Sequence, residues 1–283
     1  MTVERSRFTY QGADGTAIAA FRWRPSCTPR AVIQLAHGAG EHSLRYLEPL
    51  TPLLEGGYAI YSADHRGHGA TAGSADRLGD FGPGGAAAAI EDMAVLSRLI
   101  RRDHPDLPLI LLGHSMGATF AQVYFTEHHS LLDALVLSGT AAAWIPRGDR
   151  SRLNEGFVHP RTDYDWLSRD AAEVDKYIAD PYCGIRFTKE SGTSFMTIGA
   201  RSGDAGYLND VRKDLPIYVF VGDADPVNAK LTRITPLIDR FTSAGLTDVT
   251  LKVYPGGRHE MLNEINRDEV VADLKAWLDR VVG

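Results

Sequence analysis

Leu107-Pro108-Leu109-Ile110-Leu111-Leu112-Gly113-His114-Ser115-Met116-Gly117-Ala118 decides the reading of this chain. Its first half is a continuous apolar run, which suits a strand buried on both faces, with Pro108 tolerable near the strand's start. From about Ala118 the pattern turns helical. Between the two lies Gly-x-Ser-x-Gly, and a strand, a tight turn and a helix around that pentapeptide form the context of a nucleophile elbow. The turn is so tight that the positions two before and two after the serine must lack side chains, and the serine itself is expected in a strained conformation. Its hydroxyl then stands at a helix N-terminus, where backbone N–H groups and the helix dipole favour developing negative charge.

Outward from that turn, short β-rich runs alternate with amphipathic stretches. The strand candidates are Ile18 to Trp23, Ala31 to Ala36, Tyr58 to Ser62, Leu107 to Leu112, Ala134 to Leu137, Ile217 to Val221 and Val249 to Val253. Gly85 to Arg102, with Ile90, Met93, Leu96 and Leu99 at spacings of three, and Val270 to Val281 read as helices. This alternation predicts an α/β protein with a mostly parallel central sheet and helices on both faces. It breaks once, over residues 140–214, a stretch too long for a simple connection. That stretch carries Pro146, Arg147, Gly148, many charges, and the aromatics Trp144, Phe157, Tyr164, Trp166, Tyr177, Tyr182, Phe187 and Phe195. The expected organisation is therefore a core of residues 1–139 and 215–283 with a helical cap insertion at 140–214.

A serine hydroxyl is a weak nucleophile and needs a base within hydrogen-bond reach. Of ten histidines only His259 follows the last strand candidate, in the glycine-rich loop Pro255-Gly256-Gly257-Arg258-His259. An acid should follow the penultimate strand, and two stand there, Asp223 and Asp225. Asp225 is preferred, because Pro226 biases it to an extended conformation that reaches away from the sheet, whereas Asp223 suits a turn-stabilising role. The order serine, acid, histidine then matches the one this strand–turn–helix motif calls for. Oxyanion donors are expected from the backbone N–H of Met116 and, in the loop His37-Gly38-Ala39-Gly40-Glu41-His42, from that of Ala39.

With these residues in place, His37-Gly38-Ala39-Gly40-Glu41-His42-Ser43-Leu44-Arg45-Tyr46, Asp64-His65-Arg66-Gly67-His68-Gly69, Gly113 to Gly117 and Arg258-His259-Glu260-Met261-Leu262-Asn263-Glu264 resemble the monoacylglycerol lipase and lysophospholipase branch of the α/β-hydrolases, the serine aminopeptidase S33-like group. The resemblance spans nearly the whole chain. Trp166-Leu167-Ser168-Arg169-Asp170 and Asp180-Pro181-Tyr182-Cys183-Gly184 resemble that family's cap. It implies an α/β-hydrolase fold, Ser115 as nucleophile, Asp225 as acid, His259 as base, and Ala39 and Met116 as oxyanion donors. It also implies hydrolysis of a single-chain acyl ester, monoacylglycerol or lysophospholipid-like, through an acyl-enzyme. Two departures stand out: Ala118 where bacterial relatives often carry glycine, and Tyr182 after Asp180-Pro181 where leucine is usual.

Bulk properties fit such an enzyme. The 283 residues can bury a large core, and 36 acidic against 30 basic residues, interspersed, give a net charge of −6 that suits neither nucleic acid nor an anionic membrane. Two cysteines, Cys27 and Cys183, are too few for a disulfide framework and lack zinc-site spacing. His37 with His42 and His65 with His68 have spacings that can chelate, but no third ligand accompanies them, so neither a metal nor another cofactor is expected. Arg45 and Arg66 are expected to pair with nearby acids such as Glu41 or Asp64. No apolar run reaches the length of a membrane span and the N-terminus does not read as a signal peptide, so a cytoplasmic enzyme is expected, touching membranes at most transiently through the cap. Amidases, carbon–carbon hydrolases, acyltransferases and cofactor-free peroxidases share the same triad and differ mainly in the cap. An esterase or amidase for a compact substrate, or an acyltransferase, is the alternative. A noncatalytic binding protein on this fold is disfavoured because no triad member is missing.

Overall fold

The computed structural model describes residues 4–145 and 153–283. Pro146, Arg147 and Gly148 lie outside the described residues. In chain order, β1 (Glu4–Gln11), β2 (Ala17–Arg24) and β3 (Ala31–Ala36) precede α1 (Thr51–Glu55), β4 (Tyr58–Ala63), α2 (Gly69–Ala72) and α3 (Gly85–Asp103). Then come β5 (Leu109–His114), α4 (Met116–His128) and β6 (Ala134–Ser138). After them stand α5 (Ala171–Ala179) and α6 (Lys189–Arg201), and finally β7 (Ile217–Gly222), α7 (Thr235–Ser243), β8 (Val249–Tyr254) and α8 (Arg267–Val282).

The strands form one sheet in the order β1-β2-β4-β3-β5-β6-β7-β8. β2 is antiparallel to both β1 and β4, and every pairing from β4 to β8 is parallel. Every residue of β3, β4, β5, β6 and β7 is buried, which is why these segments read as unbroken apolar runs. Side chains alternate across the sheet, so one face packs Val32, Leu111, Leu135 and Val219 against α3 and α4, and the other packs Ile33, Ile110, Val136 and Phe220 against Trp277, Leu274 and Leu278 of α8. The structure is thus the α/β-hydrolase fold.

Every strand candidate corresponds to a strand, but β1 was not among them. Its residues are mostly exposed or half-buried, and it carries three arginine or glutamate side chains, as an edge strand does. What holds it is a hairpin of eight residue pairs with β2, from Glu4 opposite Arg24 to Gln11 opposite Ala17. The insertion contributes α5 and α6, each begun by a capping side chain. Asp170 accepts from Ala172 N–H and Thr188 from Ser191 N–H, two of the donors that a helix start leaves unpaired. Phe187 and Phe195 pack with Phe81 and Phe120, so these aromatics are consumed in joining the segment between β6 and β7 to the rest of the chain. No helix of the described residues is long and apolar enough to cross a membrane.

Candidate active site

The turn after β5 is built as its composition requires. Ser115 has φ 53° and ψ −108°, a left-handed conformation that L residues avoid. A Cβ on Gly113 would lie 2.5 Å from the Gly117 carbonyl oxygen, and one on Gly117 would lie 2.0 Å from that of Ala36 at the end of β3. Both glycines are therefore obligatory, and the strain at Ser115 is held by the packing of β5, α4 and β3. Ser115 N–H is tied to the Ser138 carbonyl at the end of β6 (3.0 Å). Among the described residues from 109 to 125 Ser115 alone is not buried, and among those from 31 to 43 Ala39 alone is not. Two otherwise sealed segments thus each present one residue to the same opening, for a Cβ on Gly38, beside Ala39, would stand 3.2 Å from Ser115 Cβ.

The loop after β3 is oriented by His37. His65 N–H donates to His37 Nε2 (2.9 Å), which requires that nitrogen to be unprotonated, so Nδ1 bears the hydrogen it gives to the Gly38 carbonyl (2.8 Å). In a trans peptide the carbonyl and the following N–H point to opposite sides, so Ala39 N–H is turned away from His37. Among the described residues no acceptor takes that N–H. Met116, the first residue of α4, presents another N–H without an intrahelical partner, at the positive end of the helix.

On the neighbouring loops His259 Nδ1 and Asp225 Oδ2 are 2.9 Å apart, at 2% and 0% side-chain exposure. Asp225 Oδ1 accepts Val227 N–H (2.8 Å), and the residue is extended (φ −67°, ψ 116°), as the following proline favours. Asp223 instead accepts Gly256 N–H (2.7 Å) at the surface, stapling the acid loop to the histidine loop. The Trp166 ring packs 5.0 Å from that of His259, and Trp166 and Leu167 carbonyls accept His259 and Glu260 N–H (3.4 and 2.8 Å). His114 lies 4.9 Å from His259, and burial pushes it down to about 4, keeping it a neutral spacer.

The family described as serine aminopeptidase, S33 matches residues 27–266. The chain belongs to this S33 family. The S33 chain is 32% identical to a monoacylglycerol lipase of Mycolicibacterium smegmatis, over 97% of each protein. It is 31% identical to the monoglyceride lipase of Mus musculus, over 94% of this chain and 88% of that one. Among solved structures, a thermostable carboxyl esterase from Bacillus coagulans, in complex with glycerol, superposes with a TM-score of 0.89 at 27% identity, covering all of both chains. This S33 protein is accordingly a carboxylic ester hydrolase of the α/β-hydrolase fold.

Two features of the site escaped the sequence. Arg66 pairs with Asp92 and Asp14 (2.6 and 2.7 Å), not with Asp64, whose carboxylate instead accepts Ser43 and Ala70 N–H (2.9 and 2.8 Å). Arg45 pairs with Glu41 as expected, and also with Glu260, the neighbour of His259. No sequence spacing connects residues 45 and 260, so that contact had no signal. Of the chelating spacings, both nitrogens of His37 are engaged by backbone, so it does not pair with His42; contrary to the expectation that no third ligand is near, His42 Nε2 meets Asp180 Oδ2 at 2.9 Å and Cys183 Sγ lies within 4.8 Å of both, residues that the fold and not the spacing brings together.

Proposed function

We propose that this S33 hydrolase cleaves esters of a single acyl chain, such as a monoacylglycerol or a lysophospholipid, by way of an acyl-enzyme on Ser115. The observation that carries the reading is the half-exposed Ser115 and Ala39, on adjoining loops, next to the buried Asp225–His259 pair, whose imidazole lies 4.9 Å from the ring of His114, the residue before Ser115. Ser115 Oγ attacks the ester carbonyl carbon while His259 Nε2 takes its proton, and Asp225 stabilises the resulting imidazolium through Nδ1–H. The carbonyl oxygen becomes an anion facing the N–H groups of Ala39 and Met116. Collapse expels the alcohol, which leaves with the proton from His259. Water then repeats the sequence on the acyl-enzyme, releasing the fatty acid and restoring Ser115. No step needs a metal or a redox partner.

The substrate class rests on the likeness to monoacylglycerol and monoglyceride lipases and on the insertion at 140–214, proposed here as a cap over the opening. A pocket roofed by one cap admits one chain more readily than three. Each methylene removed from water contributes roughly 0.8 kcal/mol, so kcat/KM should climb with chain length until the pocket ends. The test measures kcat/KM for C2 to C16 monoacyl esters against matched anilides and a triacylglycerol emulsion, with fluorophosphonate labelling mapped by peptide. Label on Ser115 and a maximum at medium or long chains are expected. A maximum at acetate, or anilides turned over as fast as esters, rejects the lipid substrate in favour of a compact one, and label elsewhere rejects Ser115.

A further inference from the structure

Glu41 is 2% exposed, yet it is a carboxylate. Removing such a charge from water costs several kcal/mol unless it is fully bonded. Its Oε1 accepts the N–H of Gly38 (2.5 Å) and the hydroxyl of Tyr46 (2.6 Å), and its Oε2 accepts Arg45 (2.5 Å). A Cβ on Gly38 would stand 2.5 Å from the same Oε1, so only glycine lets the carboxylate reach that N–H. Burial raises the carboxyl, but Arg45 and the surrounding donors outweigh it and hold Glu41 below the usual carboxylate range.

The other side of Ala39 is clamped from the cap. The Gly40 carbonyl accepts Tyr177 Oη–H (2.8 Å) and Gly184 N–H (2.9 Å). Gly40 has φ 67°, and a Cβ there would meet the Ile185 carbonyl at 2.8 Å, so the loop fits the cap only as glycine. Arg45 closes the circuit: its guanidinium lies 4.8 Å over the Tyr177 ring and forks onto both oxygens of Glu260 (2.8 and 2.7 Å), next to His259.

We propose that Glu41 is a positioning residue for the oxyanion donor Ala39, and that Arg45 and Tyr177 make its hold depend on the cap being seated against the loop. A loop needing only structural support could be held by neutral bonds. An ionised carboxylate on Gly38 N–H and a phenol on Gly40 O hold the loop on both sides of Ala39, whose N–H is left open to substrate. Binding of a chain that seats the cap then also completes the site that stabilises the transition state.

The inference rests on the serine-hydrolase reading, so Ser115→Ala is measured beside Glu41→Gln and Tyr177→Phe, the last removing only a hydroxyl. Active sites are counted by fluorophosphonate titration carried to completion. For each variant kcat per titrated site, KM, and the inhibition constant of a long-chain trifluoromethyl ketone, which adds to the serine and places an oxyanion in the hole, are compared. Expected is a fall of about 10- to 100-fold in kcat for Glu41→Gln, with a matching loss of ketone affinity and KM within about threefold. Tyr177→Phe should show the same pairing at about 3- to 10-fold. Unchanged kcat per site in both variants, or a fall in kcat with ketone affinity intact, overturns the proposal while an inactive Ser115→Ala keeps the triad standing. Turnover by Ser115→Ala would instead overturn the triad and this inference with it.

Discussion

Asp223 and Asp225 stand two residues apart at the end of β7, and their surroundings assign them different work. Asp225 is sealed from solvent with one oxygen on Val227 N–H and the other on His259, whereas Asp223 bonds Gly256 N–H at the surface. Asp225→Asn should therefore lower kcat by about 10³- to 10⁴-fold, because an amide cannot stabilise the imidazolium and favours the wrong tautomer. Asp223→Asn keeps an oxygen for Gly256 and should change kcat by less than about tenfold, with parallel circular dichroism and thermal melts separating stability from chemistry. Reversed effects would move the acid to Asp223. The contact of Asp225 rather than Asp223 with His259 was legible in the sequence because Pro226 acts locally on Asp225. The partners of Arg66 were not legible, because nearness in sequence favoured Asp64, while Asp14 and Asp92 reach Arg66 only through folding of the β1–β2 turn and α3. Glu41 was visible as a member of its motif, but its acceptance of Gly38 N–H depends on a left-handed Gly40 that no periodicity reports.

At the scale of elements, the parallel strands were legible because burial on both faces demands continuous apolar sequence, a local signal. β1 was not, since its stability comes from pairing with β2 and from contacts beyond it. The turn that joins them is bolted to α3: Ala13 N–H donates to Asp92 Oδ1 (2.9 Å), Tyr10 to the Asp92 carbonyl (3.0 Å), and a Cβ on Gly12 would collide with the Asp92 carboxylate. Arg66, 4% exposed, neutralises Asp92 with two bonds (2.6 and 3.0 Å). Arg66→Met should then cost about 3 kcal/mol or more, because it leaves a buried carboxylate without its counter-charge. Restoring neutrality with Asp92→Asn in the same chain should return part of that loss. Urea unfolding of the single and double variants measures both quantities, and an Arg66→Met variant as stable as the parent would contradict the buried-pair account. The elbow offers a sharper case. Gly117→Ala must push a methyl into the Ala36 carbonyl 2.0 Å away, so β5, α4 and β3 cannot keep their present spacing. Loss of soluble folded protein, or a melting temperature lower by several degrees, is expected, and an unaltered melt would contradict this packing.

Over the whole molecule the buried titratable groups set a pH window for stability. His37, His65, His68 and His114 are sealed in the core, and burial is the first cause that lowers each, with His68 down to about 3 and His114 down to about 4. Among the described residues the Nε2 atoms of His65 and His68 have no hydrogen-bond partner, so neither ring is prepared to carry a second proton. A histidine whose folded-state value is depressed leaves the unfolded chain to bind the proton first. Its stabilising contribution is complete above the ordinary imidazole value near 6.5 and is lost as pH falls from there toward the folded value. The slope is up to about 1.4 kcal/mol per pH unit for each histidine so affected. Glu41, held low by Arg45, adds a loss in the same direction at lower pH. Tyr10, Tyr46 and Tyr124 are raised by burial, so their contribution is complete below the ordinary phenol value near 10 and declines above it. The melting temperature should therefore be level between about pH 7 and 9, fall steeply from about pH 6.5 to 4, and fall again above about pH 10. His65→Phe separates this account from general acid denaturation, because its ring already sits edge-on to Phe120 and phenylalanine keeps that packing without the titration. The acid limb of this variant, followed by calorimetry at fixed ionic strength, should be shallower by about one proton. An acid slope equal to that of the parent would mean that His65 takes no part in it, and that the other buried histidines and the carboxylates set the lower edge of the window.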